Sequence, residues 1–122
     1  MATKNRYVNT KYWRDGYIET LDPSEKLVFL YFLTAPDSNI SGVYEIPLKI
    51  VSLDTGFNIE TIRTILARFE IDNKMMYRDG WIAIRNFIKH QSSKSVKVQE
   101  GIKKCLELAP KELIEYIGYK SA

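Results

Sequence analysis

The sequence is short of the residues on which several classes of protein depend. Its 122 residues include a single cysteine, Cys105, so no disulfide can form within the chain. The only histidine, His90, has no cysteine or second histidine at ligand spacing, which argues against a zinc site. No apolar run approaches the roughly 20 residues that a membrane-spanning helix requires, so we expect no membrane partner.

The motifs of common enzymes are also missing. The chain has no Walker loop, no glycine-rich dinucleotide motif and no cluster of metal ligands. Its acidic residues do not gather in an apolar segment that would raise a carboxyl pKa. Cys105 lies on the apolar side of a predicted helix, far in sequence from His90, and is interpreted as a small buried hydrophobe. We therefore expect no catalytic residue, no metal and no cofactor.

The overall composition is that of an ordinary folded domain. Hydrophobic residues make up 45% of the chain and charged residues 27%, which is typical of one globular domain. The chain begins with the largely polar segment MATKNR, and no signal-peptide core follows it. This start, together with the single cysteine, predicts a cytoplasmic protein.

The positive charge is concentrated late in the chain. The net charge is only +3, but residues 85–104 carry six basic side chains against one acid, Glu100. Such a cluster is typical of a surface that binds a polyanion, and a solvated basic face is the alternative. The six are Arg85, Lys89, Lys94, Lys97, Lys103 and Lys104.

A first helix is predicted by strong signals at both of its ends. Asp22-Pro23-Ser24-Glu25 combines a capping residue, a proline at the first helical position and a glutamate three residues after the cap. The helix should continue to about residue 35, where Pro36 stops it. Because it is apolar nearly all round, we predict a central, buried helix. Before it, the aromatic residues of 12–18 predict a short helical turn.

The middle of the chain has the pattern of a helix-turn-helix. Residues 43–46 alternate as in a short strand, and Pro47 then opens a helix over residues 48–54. Gly56 can adopt the left-handed conformation that ends this helix, and Asn58 can cap a further helix extending to about residue 73. Four apolar residues share one face of that further helix: Ile62, Ile65, Leu66 and Phe69.

A hairpin and more helices are predicted to follow. Residues 75–77 and 81–84 favour strands, and the Arg78-Asp79-Gly80 segment between them is typical of a tight hairpin turn. Helices are expected over residues 96–108 and 110–117. The predicted class is mainly α with a small β-hairpin. In this order, residues 47–87 form a winged helix-turn-helix with extra N- and C-terminal helices.

The same patterns predict a division of the chain into three parts. Residues 1–10 are interpreted as a flexible N-terminal arm, and residues 11–91 as the winged helix-turn-helix domain. Residues 92–122 are interpreted as a helical extension or as the start of a linker to a further domain.

The helix of residues 59–73 is the candidate for DNA recognition. Its outward side carries Glu60 and Thr64, with Arg63 on a flank, and the first residues of such a helix reach base edges in the major groove. The wing and the basic stretch offer phosphate contacts. The candidate DNA-binding residues are Lys49, Asn58, Glu60, Thr61, Arg63, Thr64, Arg68, Lys74, Arg78, Arg85, Lys89, His90, Lys94 and Lys97.

These features also have structural interpretations. Arg63 and Arg68 can be solvated helix residues, and Ile71, on the outward side, can mark a frayed helix end or a dimer contact. Residues 96–117 can form a dimer element or pack on their own domain. A winged helix can also serve as a module for protein interaction without touching DNA. Tyrosines beside arginines, at Arg6-Tyr7 and Tyr77-Arg78, can stack on single-stranded bases.

Seven short segments of the sequence resemble segments of one protein family. They occur in the same order as in that family and span about two thirds of the chain. Together they are similar to the N-terminal domain of phage replisome organisers, the DnaD-like replication initiation proteins. The segments are YWRD (12–15), LDPSEKL (21–27), LYFLT (30–34), SGVYEIP (41–47), TG (55–56), DGWI (79–82) and NFIKHQ (86–91).

The resemblance implies a winged-helix domain that binds double-stranded DNA at a phage origin and helps to recruit the replicative helicase. It also implies self-association into a homodimer or higher oligomer, in the cytoplasm of a bacterial host. Longer members carry a second helical domain for the helicase or its loader, so we expect such contacts to need a region that this sequence does not include. The residues do not separate a role in replication from that of a transcriptional regulator with the same fold.

Overall fold

A computed structural model of the chain describes residues 5–91 and 95–119, with the backbone alone at residues 90 and 91. After two 3-10 turns, Thr10–Arg14 and Ile18–Thr20, this part of the chain contains six α-helices and three strands. The helices are α1 (Pro23–Thr34), α2 (Leu48–Thr55), α3 (Ile59–Ile71), α4 (Phe87–Gln91), α5 (Val96–Leu106) and α6 (Lys111–Ile117). The strands are β1 (Val43–Glu45), β2 (Met75–Arg78) and β3 (Trp81–Ile84). The predicted class, mainly α with a small β-hairpin, is confirmed.

Helix α1 begins at the predicted capping box. The Asp22 carboxylate accepts a hydrogen bond from the Glu25 backbone N–H at 2.9 Å, and the Glu25 carboxylate accepts one from the Asp22 N–H at 2.9 Å. The prediction that α1 is buried on nearly all sides is wrong. Val28 and Phe32 are buried, but Leu27 is 46% exposed. Only part of the helix surface is covered, chiefly by α2 and α3.

The connection between α2 and α3 has the predicted local structure. Gly56 has a φ of 83°, in the left-handed region, and its N–H donates to the Ser52 carbonyl at 2.9 Å. Helix α2 ends at this residue. Asn58 Oδ1 accepts from the Thr61 backbone N–H at 2.8 Å and caps α3. All four residues predicted on the inner face of α3 are buried: Ile62, Ile65, Leu66 and Phe69.

The hairpin and a third strand form one antiparallel sheet. Strands β2 and β3 are joined by Asp79 and Gly80, with φ 52 and 84, which is typical of a two-residue type I′ turn. Strand β1 pairs with the other edge of β3, where Val43 lies opposite Ala83, so the strand order is β1-β3-β2. The sheet therefore has β3 at its centre and joins the segment before α2 to the hairpin after α3.

The two faces of the sheet pack against different helices. Tyr44 and Ile82 belong to the core that contains α1, α2 and α3. Val43 and Ala83 belong to a second cluster with Ile102 and the other buried residues of α5 and α6. Of the two expectations for residues 96–117, the structure thus has this segment packed on its own domain. Helix α4, just before it, was not predicted.

Among the described residues, none of the helices combines the length and the apolar character that crossing a membrane requires.

Three glycine-to-alanine variants test the backbone geometry. At Gly42, φ is 76 and an added Cβ would lie 2.6 Å from Phe87 Cβ, so strain and a clash with α4 should together cost about 2–4 kcal/mol. At Gly56 the space is open but φ is positive, and Gly56→Ala should cost about 1–2 kcal/mol. Gly16→Ala, with no neighbour within 4 Å and no positive φ, should change stability by less than about 0.5 kcal/mol.

Urea unfolding followed by circular dichroism measures all three. The packing of α4 on the β1 segment would be contradicted if Gly42→Ala were no less stable than Gly56→Ala.

Candidate nucleic-acid interface

The exposed side of α3 carries part of the predicted DNA-binding set. Asn58, Glu60, Arg63 and Thr64 are exposed, and Thr61 is half-buried. We call these five residues the α3 surface. Lys49 is exposed on α2. Its neighbour in sequence, Leu48, lines the same groove as Arg63.

Some polar groups of the α3 surface already have partners within the chain. Asn58 Oδ1 is the cap acceptor, and the Thr64 hydroxyl donates to the Glu60 carbonyl at 3.1 Å. The hydrogen-bond donors on the longer side chains of this surface are the Asn58 amide N–H groups and the Arg63 guanidinium. A base or phosphate would therefore meet chiefly these donors.

Arg63 lies close to the hairpin. It lines a groove of about 210 Å³ between α3 and β2, together with Tyr77 and Glu70. Burial raises the pKa of Tyr77, and the positive charge of Arg63 partly offsets that rise. A ligand that contacts Arg63 would thus lie between the recognition-helix candidate and the strand pair.

Arg68 is paired within the domain, although its side chain is 38% exposed. Its Nη1 lies 2.6 Å from Glu25 Oε1, its Nε lies 3.5 Å from Asp72 Oδ2, and Nη2 donates to the Thr20 carbonyl at 3.3 Å. The Glu25 side chain is only 10% exposed. The guanidinium therefore ties α3 to the start of α1, and its predicted contact with DNA would compete with this network.

Arg78, predicted to contact DNA from the wing, is also paired. It forms a bidentate ion pair with Glu70 at 2.6 and 2.9 Å, and its Nε lies 3.5 Å from Glu112 on α6. The hydrogen bond from Arg78 lowers the pKa of the Glu70 carboxyl group. Through its contacts with Glu70 and Glu112, Arg78 joins the end of β2 to both α3 and α6.

Lys74 and Arg85 lie at the base of the hairpin, where the Arg85 N–H donates to the Lys74 carbonyl at 3.1 Å. The Lys74 ammonium is 4.7 Å from the centre of the Tyr17 ring. Arg85 Nη1 donates to the Tyr116 carbonyl at 2.8 Å, and its guanidinium lies over the Tyr116 ring. Both cations thus lie against tyrosine rings within the chain.

The remaining predicted residues belong to the basic stretch. Lys89 on α4 and Lys97 on α5 are exposed. Lys94 and the side chain of His90 lie outside the described part of the chain.

The ion pairs of Arg68 and Arg78 leave helix α3, the recognition-helix candidate, nearly neutral. Arg68 and Arg78 offset Asp72 and Glu70, so α3 itself presents Arg63 against Glu60. On α2, Lys49 is accompanied by Asp54, whose carboxylate accepts from the Tyr31 hydroxyl. Attraction to phosphates through this face alone is therefore modest.

Exposed apolar side chains accompany these polar groups. Leu53 on α2 is 71% exposed and Ile71 at the end of α3 is 84% exposed. Ile71 was predicted on the outward side, whereas Leu53 was missed. Its position two residues after the buried Val51 places it on the opposite side of the helix, a signal that the periodicity contained.

Comparison of the chain with models of known protein families finds no match, and neither curated proteins nor solved structures match it.

The two arginines of α3 should differ in their effect on stability. Arg68→Ala leaves the nearly buried Glu25 carboxylate without its ion-pair partner, so the thermal midpoint should fall by several degrees. Arg63→Ala, at an exposed position of the same helix, should change the free energy of unfolding by less than about 0.5 kcal/mol. Calorimetry of both variants is the measurement. Equal midpoints for the two would contradict the assignment of Arg68 to the core network.

Proposed function

We propose that the chain is a winged-helix module that binds double-stranded DNA, with α3 as its recognition helix. The proposal is supported by the order α1-β1-α2-α3-β2-β3, in which β1 adds to the hairpin. It is further supported by the short turn between α2 and α3, and by the exposed donors of the α3 surface. This combination of elements is typical of proteins that insert one helix into the major groove.

The observation that carries the proposal is the exposure of Arg63 beside the capped start of α3. A guanidinium at this place can pair bidentately with guanine or contact a phosphate. The Asn58 amide lies at the helix N-terminus, where backbone N–H groups and the helix dipole favour phosphate. Glu60 can accept from cytosine, and Lys49 adds a phosphate contact from α2.

The intramolecular ion pairs predict a specific salt dependence. Each neutralised phosphate contributes a slope of about −0.9 to the plot of log affinity against log salt. With Arg63 and Lys49 as the ionic contacts of this face, the slope should be about −2, and steeper only where Lys89 and Lys97 join the interface.

Fluorescence anisotropy with duplexes tiled across the replication origin of the encoding genome tests the proposal. Arg63→Ala should weaken binding about tenfold and reduce the salt slope by about 1 if Arg63 contacts a phosphate. If it contacts a base, the loss should depend on sequence instead. Arg14→Ala removes an exposed arginine from the N-terminal 3-10 turn and should leave affinity unchanged. Absence of salt-sensitive binding to every duplex at low salt would refute duplex recognition.

The biological setting proposed here rests on the resemblance to phage replisome organisers. On this proposal the module binds origin DNA in the cytoplasm of a bacterial host and helps to assemble the helicase-loading complex. A transcriptional regulator would use the same surface. A gene for a helicase loader next to this one would favour replication, and a divergent promoter would favour regulation.

A second candidate function, self-association, is favoured by the exposed apolar residues. Ile71 and Leu53 lie on a nearly neutral pair of helices, and apolar side chains with little charge around them are typical of protein interfaces. If this face forms a dimer, light scattering should give twice the chain mass, and Ile71→Asp should restore the monomer. A monomer at high concentration that still binds duplex DNA would rule out this candidate.

A further inference from the structure

A cavity lies on another part of the domain, at the base of the hairpin. Its volume is about 370 Å³, within the range of small-molecule sites. The N-terminal segment, α1 and the residues flanking the strand pair surround it, and no residue of α2 or α3 lines it. Its walls include Tyr7, Tyr17, Lys11, Lys74, Arg85 and Asn86.

The N-terminal wall of this cavity is anchored to the domain. Arg6 Nε donates to the Ser38 hydroxyl at 2.9 Å, and Nη2 donates to the Ser38 carbonyl at 2.7 Å. Val8 packs against the main core. Tyr7, between these two residues, lines the cavity while 75% of its surface is exposed. Its ring can therefore take part in a contact with little further ordering of the backbone.

Another part of the lining combines an aromatic ring with a cation. The Tyr17 hydroxyl donates to Asp72 Oδ2 at 2.8 Å, and the ring packs against Phe29 with 6.0 Å between centroids. The Lys74 ammonium sits 4.7 Å from the same ring. A cation–π contact leaves ammonium N–H donors for an anion, so Lys74 can contact the ring and a phosphate together.

The charges that line the cavity are mainly positive. Lys11, Lys74 and Arg85 are its cations. The lining acid, Asp15, uses its carboxylate to accept the backbone N–H groups of Tyr17 and Ile18 at 2.9 and 3.2 Å. An anion would therefore be attracted to the cavity.

Asn86 adds a hydrogen-bonding group to the rim. It has φ 64, a conformation that asparagine tolerates better than most residues, and its side chain is exposed. Its carboxamide offers both donors and an acceptor, as a nucleobase edge requires.

We propose that this cavity binds a single nucleotide, with the base against the tyrosine rings and the phosphate near Lys11 and Lys74. Aromatic rings interleaved with cations are the combination that binds unpaired nucleotides. The nucleotide is either free in solution or an unpaired nucleotide of single-stranded DNA, since both present the same base and phosphate. The site goes beyond the duplex contact proposed for α3 and shares no residue with the α3 surface.

Titration of the ¹⁵N-labelled full chain with deoxyadenosine 5′-monophosphate, followed by amide chemical shifts, tests the proposal. Shifts should cluster in residues 7–17 and 84–87, and the curves should saturate. Deoxyadenosine and inorganic phosphate, each titrated alone, should bind at least tenfold more weakly. The site would be refuted by no shifts, by shifts confined to α3, or by phosphate binding as tightly as the nucleotide.

Two variants with the same change in charge separate local contact from general attraction. Lys11→Glu alters an exposed side chain that lines the cavity and should weaken nucleotide binding at least tenfold. Lys104→Glu, exposed on α5 and outside the cavity lining, should change it less than twofold. Equal losses in the two variants would overturn the proposal.

A 5′-phosphorylated oligodeoxyadenylate of six nucleotides distinguishes the two sources of the ligand. Binding at least tenfold tighter than the mononucleotide, with the same residues shifted, assigns the cavity to single-stranded DNA. Equal affinity assigns it to free nucleotide. Arg63→Ala should leave the affinities for the mononucleotide and the oligodeoxyadenylate unchanged. A failure of duplex binding at α3 can therefore be distinguished from a failure of nucleotide binding in the cavity.

Discussion

The ion pair between Arg68 and Glu25 holds together the parts on which both candidate sites depend. Glu25 completes the capping box of α1, and the same carboxylate receives the Arg68 guanidinium from α3. Arg68 also contacts Asp72, which in turn accepts the Tyr17 hydroxyl. One connected network therefore fixes the angle of α3 against α1 and the ring of Tyr17 in the cavity wall.

If α3 binds DNA as proposed, these ion pairs lower its affinity for nucleic acid. The arginines that stabilise the fold through Glu25 and Glu70 are not free to release counterions from a phosphate backbone. A helix that keeps Arg63 as its exposed cation is suited to selecting a sequence more than to holding any duplex tightly. Stronger attachment would come from the basic stretch, from oligomerisation or from a second nucleotide contact.

Local signals predicted much of the fold, whereas contacts between distant residues could not be predicted from them. The capping box at Asp22, the turn at Gly56 and the Asp79-Gly80 hairpin each depend on a few adjacent residues, and the structure has all three. Pairing of β1 with β3 and the Arg68–Glu25 contact join residues about 40 positions apart, which no periodicity encodes. For the same reason, Lys11 was not recognised as a neighbour of Lys74 in one cavity.

The contacts of α6 give the hairpin a mechanical property. Arg78 at the far end of β2 lies 3.5 Å from Glu112, and Arg85 just after β3 donates to the Tyr116 carbonyl at 2.8 Å. The strand pair is thus fastened to one helix near both of its ends, and it cannot swing about its base unless these contacts break. One helix, α6, therefore contacts both the arginine next to the hairpin turn and the arginine that lines the cavity.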